Sequence, residues 1–275
     1  MNALSLRTIS SLFLFLIFIY IIFSGDLFFI IFLQILLFIT NWECLRLLEF
    51  KKVVNEEIVK PNFFLTRCKV SIYDFLLIIT INMLNLTYFF SIDLLGFIFS
   101  LILISILIFF HEKDYKKIFI LFYFSFPYFL LVHLRFDESF IDYILFIVIF
   151  SIIVDVSAFF VGKTIGGKKL AEKLSPNKTI AGMVGGIIIP SFICVVFFIQ
   201  YSSFNEIIFL SIFFSIIAQT GDLIESKFKR FCYVKDSSNI IPGHGGVLDR
   251  LDSIFLLTIF ISIFKLFNYN FFFVV

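Results

Sequence analysis

The chain has 275 residues and a formal net charge of +2; 61% of its residues are hydrophobic and only 15% are Asp, Glu, Lys or Arg. Soluble domains carry about 25% charged and about 45–50% apolar residues. A mean hydropathy of +1.08 therefore excludes a soluble globular protein and describes an all-α polytopic integral membrane protein with no nucleic-acid partner.

A spanning helix needs about 20 mostly apolar residues. In chain order the apolar runs predict about nine transmembrane helices, at 8–23, 26–42, 71–91, 93–110, 118–133, 139–161, 182–201, 204–224 and 251–270. The first follows Arg7 as a signal peptide would, but no small-residue cleavage site follows it and a second run begins at Leu27, so it is read as a retained span. The 45 Phe residues fit a compositional bias in a chain where Phe packs equally well against lipid and helices. Cys44, Cys68, Cys194 and Cys232 form no C-x-x-C pair and signal neither a disulfide framework nor a zinc site. No repeat or Gly/Ser linker divides the chain, so residues 1–275 are expected to form a single membrane domain.

Twenty of the 22 Lys and Arg residues precede span one or follow spans two, four, six and eight; only Arg135 and Lys265 fall on the other side. Positive charge is retained on the cytoplasmic side of membrane proteins. The bias therefore predicts a cytoplasmic N-terminus, and it places the two polar late loops, 162–181 and the one between spans eight and nine, on the same side.

Span eight ends with Asp222 and Glu225 one helical turn apart, and span nine begins with Asp249 and Asp252 at the same spacing. Two such pairs on neighbouring antiparallel helices suit Mg2+, which takes one or two carboxylates plus substrate phosphates. The plainer reading of Asp249 and Asp252 is an acidic first turn that favours the helix dipole; Asp222, at the edge of an apolar run, has no such excuse. Lys229, Arg230, Lys235, His244 and Arg250 surround the loop with phosphate-binding groups, and Gly243, Gly245 and Gly246 let backbone approach a ligand. Some of these cations also suit lipid headgroups. In the earlier loop, from Asp155 to Gly186, Lys163, Lys168, Ser175, Lys178 and Thr179 are candidates for phosphate or ribose contact, whereas its glycines match no nucleotide-loop pattern and equally suit tight helix packing.

From Ser226 to Asp252 the chain reads SKFKRFCYVKDSSNIIPGHGGVLDRLD. Ser226, Lys229-Arg230, Lys235-Asp236, Pro242, His244-Gly245-Gly246, Asp249-Arg250 and Asp252 resemble, in type and spacing, the signature of the phosphatidate cytidylyltransferase (CDP-diacylglycerol synthase) family. SPNKT at 175–179, Asp155 and Gly162 are similar to further landmarks of that family, so residues 155–252 carry its catalytic motifs. Ile180-Ala181 stand where the family often has an aromatic residue and an acid, and Phe159 replaces a frequent Tyr.

The resemblance implies transfer of a cytidylyl group from CTP to phosphatidate, with Mg2+ held by Asp222 and Asp249 and a monovalent cation beside it. Catalytic roles would fall to Asp222, Asp249, Lys229, Arg230, His244 and Arg250. Substrate binding would fall to Ser175, Lys178, Thr179, Ser226, Lys235, Asp236, Gly245, Gly246 and Asp252. It also implies a homodimer in a bacterial inner membrane, with the active site facing the cytoplasm. The alternatives are a CTP-dependent polyprenol or dolichol kinase, which moves a γ-phosphoryl group, and an ion-coupled transporter, which favours charges near mid-membrane and paired halves.

Overall fold

A computed structural model describes residues 16–56, 70–91, 115–172, 174–241, 245–267, 269, 271 and 274. These residues form two compact units, one containing residues up to Arg135 together with Phe231–Arg250, the other Phe136–Arg230 together with the residues from Leu251 onward.

Three long helices build the first unit: α1 (Asp26–Glu56), α2 (Ile72–Ser91) and α3 (Tyr115–Arg135). Hydrocarbon offers no hydrogen-bond partner, so polar side chains on such helices must find one another. Arg135 bonds Asp26, Thr40 bonds Tyr128 at 2.6 Å, and the Ser125 hydroxyl donates to Asn41 at 2.9 Å. The partner numbers rise along α1 as they fall along α3, which makes these two helices antiparallel. Gln34 donates to Asn85 at 2.6 Å and ties α1 to α2. A buried ion pair, Lys117 with Asp74, brings together the N-terminal ends of α2 and α3.

The second unit contains α4 (Phe140–Ile165), a hairpin of β1 (Lys169–Ala171) and β2 (Ser175–Thr179), α5 (Ile180–Phe198), α6 (Phe204–Phe231) and α7 (Leu248–Leu266); residues 231 and 248–250 of the last two helices belong to the first unit. The strands pair antiparallel, Lys169 with Thr179 and Ala171 with Ser175. Phe146 and Phe150 of α4, Phe213 and Phe214 of α6 and Phe264 of α7 make edge-on and stacked ring contacts that form the apolar core. A buried bond of 2.6 Å between Ser151 and Ser253 ties α4 to α7.

Four helical stretches, Asp26–Lys52, Phe140–Ile165, Ile180–Phe198 and Phe204–Phe231, are long and apolar enough to cross a membrane, and two shorter apolar helices accompany them. Phe192, Phe197 and Phe209 stay 67–69% exposed, which a lipid surrounding makes favourable. The chain is an integral membrane protein of predominantly helical build. Helix occupies every expected span that falls among the described residues; span four, at 93–110, and the start of span one lie outside them.

The structure departs from the sequence reading in several details; α6, for one, runs to Phe231 where the expected span ended at 224. The earlier of the two late loops, 162–181, is not wholly irregular but holds the β1–β2 hairpin. And α1 runs fourteen residues beyond the expected end at 42, to Glu56. Hydropathy falls after Thr40 because Asn41, Glu43 and Arg46 are polar, yet all three are buried in protein and the helix has no reason to stop.

The ion pair gives a test. Lys117 and Asp74 keep only 3% and 2% of their side-chain surface exposed. Lys117→Met leaves a buried carboxylate uncompensated and should lower unfolding stability in detergent by about 3–5 kcal/mol. Lys117→Met combined with Asp74→Leu should recover most of that loss, and equal losses in the single and double variants would contradict the pairing.

Candidate active site

The helices α4 and α5 meet at small residues. A Cβ on Gly182 would lie 2.6 Å from the Ala158 carbonyl oxygen, one on Gly185 would lie 2.5 Å from Val161, and one on Gly186 would touch Ala158, Gln219 and Val154. Gly182, Gly185 and Gly186 are therefore packing residues, the plainer of the two readings their sequence allowed, whereas Gly166 and Gly167 take positive φ in open space. Close crossing leaves the ends of the two helices to be joined by the hairpin. Thr179 ends β2 and caps α5, its hydroxyl accepting from the Gly182 amide at 3.0 Å. The Ile180 amide donates to the Lys168 carbonyl at 2.9 Å and closes the hairpin onto the helix start.

This geometry encloses a cavity of about 510 Å³ within the second unit, lined by Asp155, Lys163, Asn177, Lys178, Gln219 and Asp222 over a floor of Gly162 and Gly182. Lys178 is ion-paired with Asp222. Ser226 points its hydroxyl at the other Asp222 oxygen, at 3.4 Å. Gly221 admits the backbone of α7, for a Cβ there would lie 2.6 Å from the Asp252 carbonyl oxygen. The Asp252 carboxylate consequently lies in the electrostatic field of Asp222, Asp155 and Lys229. Lys229 pairs with Glu225 at 2.6 Å, and the Arg230 guanidinium donates to the Leu174 carbonyl at 3.1 Å, fastening the hairpin to α6.

Among the described residues no three His, Cys, Asp or Glu side chains are grouped closely enough to hold a metal ion by themselves. Mg2+ does not need such a cage, because it keeps waters and substrate oxygens around one or two carboxylates. Asp222 and Asp155, which line the same cavity, are hard oxygen donors of that kind and number. The residues present fit Mg2+ completed by phosphates.

The remaining predicted residues belong to the first unit. Asp249 opens α7 and turns Oδ2 to the Ser237 amide at 2.9 Å, the Ser237 hydroxyl at 3.0 Å and the Gly246 amide at 2.8 Å. Gly245 takes φ +86, a conformation that favours glycine, and its carbonyl accepts from the Ile241 amide at 2.9 Å. Lys235, Asp236 and Arg250 are exposed. His244, together with Pro242 and Gly243, lies outside the described residues. Asp222 thus stands with Ser175, Lys178, Thr179, Ser226, Lys229, Arg230 and Asp252 in one unit, and Asp249 with Lys235, Asp236, Gly245, Gly246 and Arg250 in the other.

The sequence reading missed Gln219, Asn177, Gly221 and Glu43. Gln219 and Gly221 carried a usable signal, a polar and a small residue on either side of Thr220 within an apolar run ending at an acid. Glu43 lies 0% exposed in α1, accepts from Ser238, Val247 and Leu248, and stands 3.1 Å from the Ser237 hydroxyl. Its only signal was an acid directly after an apolar run.

Residues 5–267 match the model of the Cytidylyltransferase family. The phosphatidate cytidylyltransferase of Rickettsia conorii is 37% identical over 214 residues, covering 73% of this chain and 83% of that protein. That of Bacillus subtilis is 41% identical over 120 residues, covering 42% of this chain and 45% of that protein. That of Rickettsia bellii is 46% identical over 112 residues, covering 38% and 48%. In the latter two comparisons the chain spans less than half the length of the relative.

The glycine crossing can be probed directly. Gly182→Ala places a methyl group against the Ala158 carbonyl and the floor of the cavity. Forced separation of a packed interface costs about 1–3 kcal/mol, so thermal unfolding in detergent should show a loss of that size together with weaker nucleotide binding by calorimetry. Unchanged stability and binding would mean that the crossing is not tight.

Proposed function

The chain belongs to the cytidylyltransferase family, and on that premise we propose that it transfers the cytidylyl group of CTP to phosphatidate, releasing pyrophosphate and making CDP-diacylglycerol for phospholipid synthesis. The observation that carries this reading is the cavity of about 510 Å³ that gathers Lys163, Lys178, Asp155 and Asp222 at the ends of otherwise apolar helices. Those groups meet the main demand of the reaction, which is to hold two mutually repelling phosphates in line and to neutralise charge as it develops.

An oxygen of the lipid phosphate attacks the α-phosphorus of CTP; its new P–O bond forms as the bond to the β-phosphate breaks, and pyrophosphate leaves with that electron pair. The attacking oxygen is already anionic, so no strong base is needed. Lys178, which rests on Asp222, turns to phosphate oxygens when a nucleotide enters, and Lys163 receives charge on the same wall. Thr179, used as the α5 cap, and Arg230, used on the Leu174 carbonyl, keep the hairpin shaped around the nucleotide. The family resemblance implies Asp222 and Asp249 as the residues that would hold Mg2+, with a monovalent cation beside it, and bound Mg2+ would supply charge neutralisation at the phosphates.

The proposed setting is a bacterial inner membrane, crossed nine times, with a cytoplasmic N-terminus and the active site facing the cytoplasm. The charge split supports that orientation, and the antiparallel run of α1 with α3 and the shared N-terminal ends of α2 and α3 fit the alternation of the spans. A homodimer is the proposed assembly.

Purified protein given CTP, phosphatidate and Mg2+ should place α-phosphate label in the lipid and release γ-label as pyrophosphate. Chelation should stop the reaction and added Mg2+ restore it. γ-Label in the lipid instead would identify a kinase, and label in neither product would leave a transporter.

Glu138 and Asn239 are both exposed. Single cysteines at these two positions, in a background without native thiols, should react with a membrane-impermeant reagent from opposite faces of the membrane. Labelling of both from one face would overturn the nine-span topology.

A further inference from the structure

The first half of the chain has no part in the reaction as described so far, yet one of its side chains is bound directly to the signature segment. Glu43 of α1 is fully buried. Its Oε1 accepts from the Ser238 hydroxyl at 2.5 Å and the Val247 amide at 3.1 Å; its Oε2 accepts from the Leu248 amide at 2.8 Å and stands 3.1 Å from the Ser237 hydroxyl. The amides of Val247 and Leu248 stand at the start of α7, where helix N–H groups have no partner within the helix. Glu43 supplies one from more than 200 positions upstream.

The contact continues to Asp249. The Ser237 hydroxyl lies between Glu43 Oε2 and Asp249 Oδ2, and the Ser237 amide also donates to that Asp249 oxygen. One turn after Glu43, the Arg46 guanidinium holds the Ser237 carbonyl at 3.0 Å. Gly246 is small because this carboxylate stands against it: a Cβ there would lie 2.0 Å from the Ser237 hydroxyl and 2.3 Å from Glu43 Oε1.

We propose that Glu43 is a positioning residue for cytidylyl transfer, setting the backbone of Ser237–Ser238 and Gly246–Leu248 and through them the orientation of the Asp249 carboxylate. The kinetic part of this inference rests on the proposed activity; the structural part does not.

The test compares full-length wild-type protein with Glu43→Gln in detergent. A Gln side chain has one acceptor oxygen, so its NH2 must face either the Val247 or the Leu248 amide. Two quantities are measured: hydrogen exchange of the amides of residues 245–249, and kcat with CTP, phosphatidate and Mg2+. Exchange should rise about tenfold or more, the size of losing one buried bond. The kcat should fall about 100-fold, as small displacements in an active site do. Thr40→Val, which removes the buried bond to Tyr128 in the same helix, should lower the thermal midpoint as much while leaving both quantities at wild-type values. Folded Glu43→Gln protein with wild-type exchange, or with faster exchange but wild-type kcat, would overturn the proposal. Where Glu43→Gln does not accumulate as folded protein, Ser238→Ala removes one donor only and should raise exchange at Val247 about threefold; no rise there would overturn it equally. Wild-type protein without cytidylyl transfer would sink the proposed function alone, since the exchange comparison still decides what holds the segment.

Discussion

A charge without a partner is intolerable in hydrocarbon, and that constraint arranges the polar groups of this chain. Asp26 has Arg135, Asp74 has Lys117, Glu225 has Lys229 and Asp222 has Lys178. Glu43 has backbone amides and serine hydroxyls instead of a cation. The pairs do different work. Those of Asp26 and Asp74 join helix ends, and the pair of Asp74 is closed off from water. The pair of Lys178 and Asp222 lines a cavity, and its members are only about a quarter exposed, 28% and 23%, so a phosphate entering there meets an ammonium and a carboxylate that can each take a new partner.

The cavity owes its shape to residues without charge. Gly162, Gly182, Gly185 and Gly186 let α4 and α5 touch, and that contact sets where the hairpin must turn. Thr179 then ends one element and starts the next. Gly221 performs the equivalent task between α6 and α7, and by admitting the Asp252 backbone it fixes the neighbourhood of Asp222. Acid chemistry and small-residue packing are thus one arrangement: the carboxylates share a field because the glycines beside them allow helices to meet.

Much of this was legible in the sequence. The apolar runs mark their helices because lipid and the protein interior ask for the same side chains, and the residues from Ser226 to Asp252 mark the family because so many fixed residue types rarely coincide. What hydropathy misjudged was α1 beyond residue 42 and the hairpin at 169–179. Asn41, Glu43 and Arg46 look like the end of a span, since hydropathy cannot distinguish a polar residue facing water from one paired inside protein. The hairpin is too short to show a strand period, and Lys169 and Lys178 read as loop. The role of Glu43 was beyond reach for a further reason: its partners lie almost 200 positions or more away in the chain, and no local pattern encodes a contact of that range.

The uninterrupted course of α1 has a mechanical consequence. Its 31 residues make a rod about 46 Å long, against a hydrocarbon layer of about 30 Å. A rod that overshoots the bilayer must tilt, project beyond it, or do both, and the balance shifts with membrane thickness. Glu43 sits past the middle of that rod with the signature segment hydrogen-bonded to it. A change of lipid chain length that rocks α1 would therefore be delivered, by a single rigid lever, to the backbone around Asp249. Bilayer thickness would then become an input to the segment that Glu43 holds.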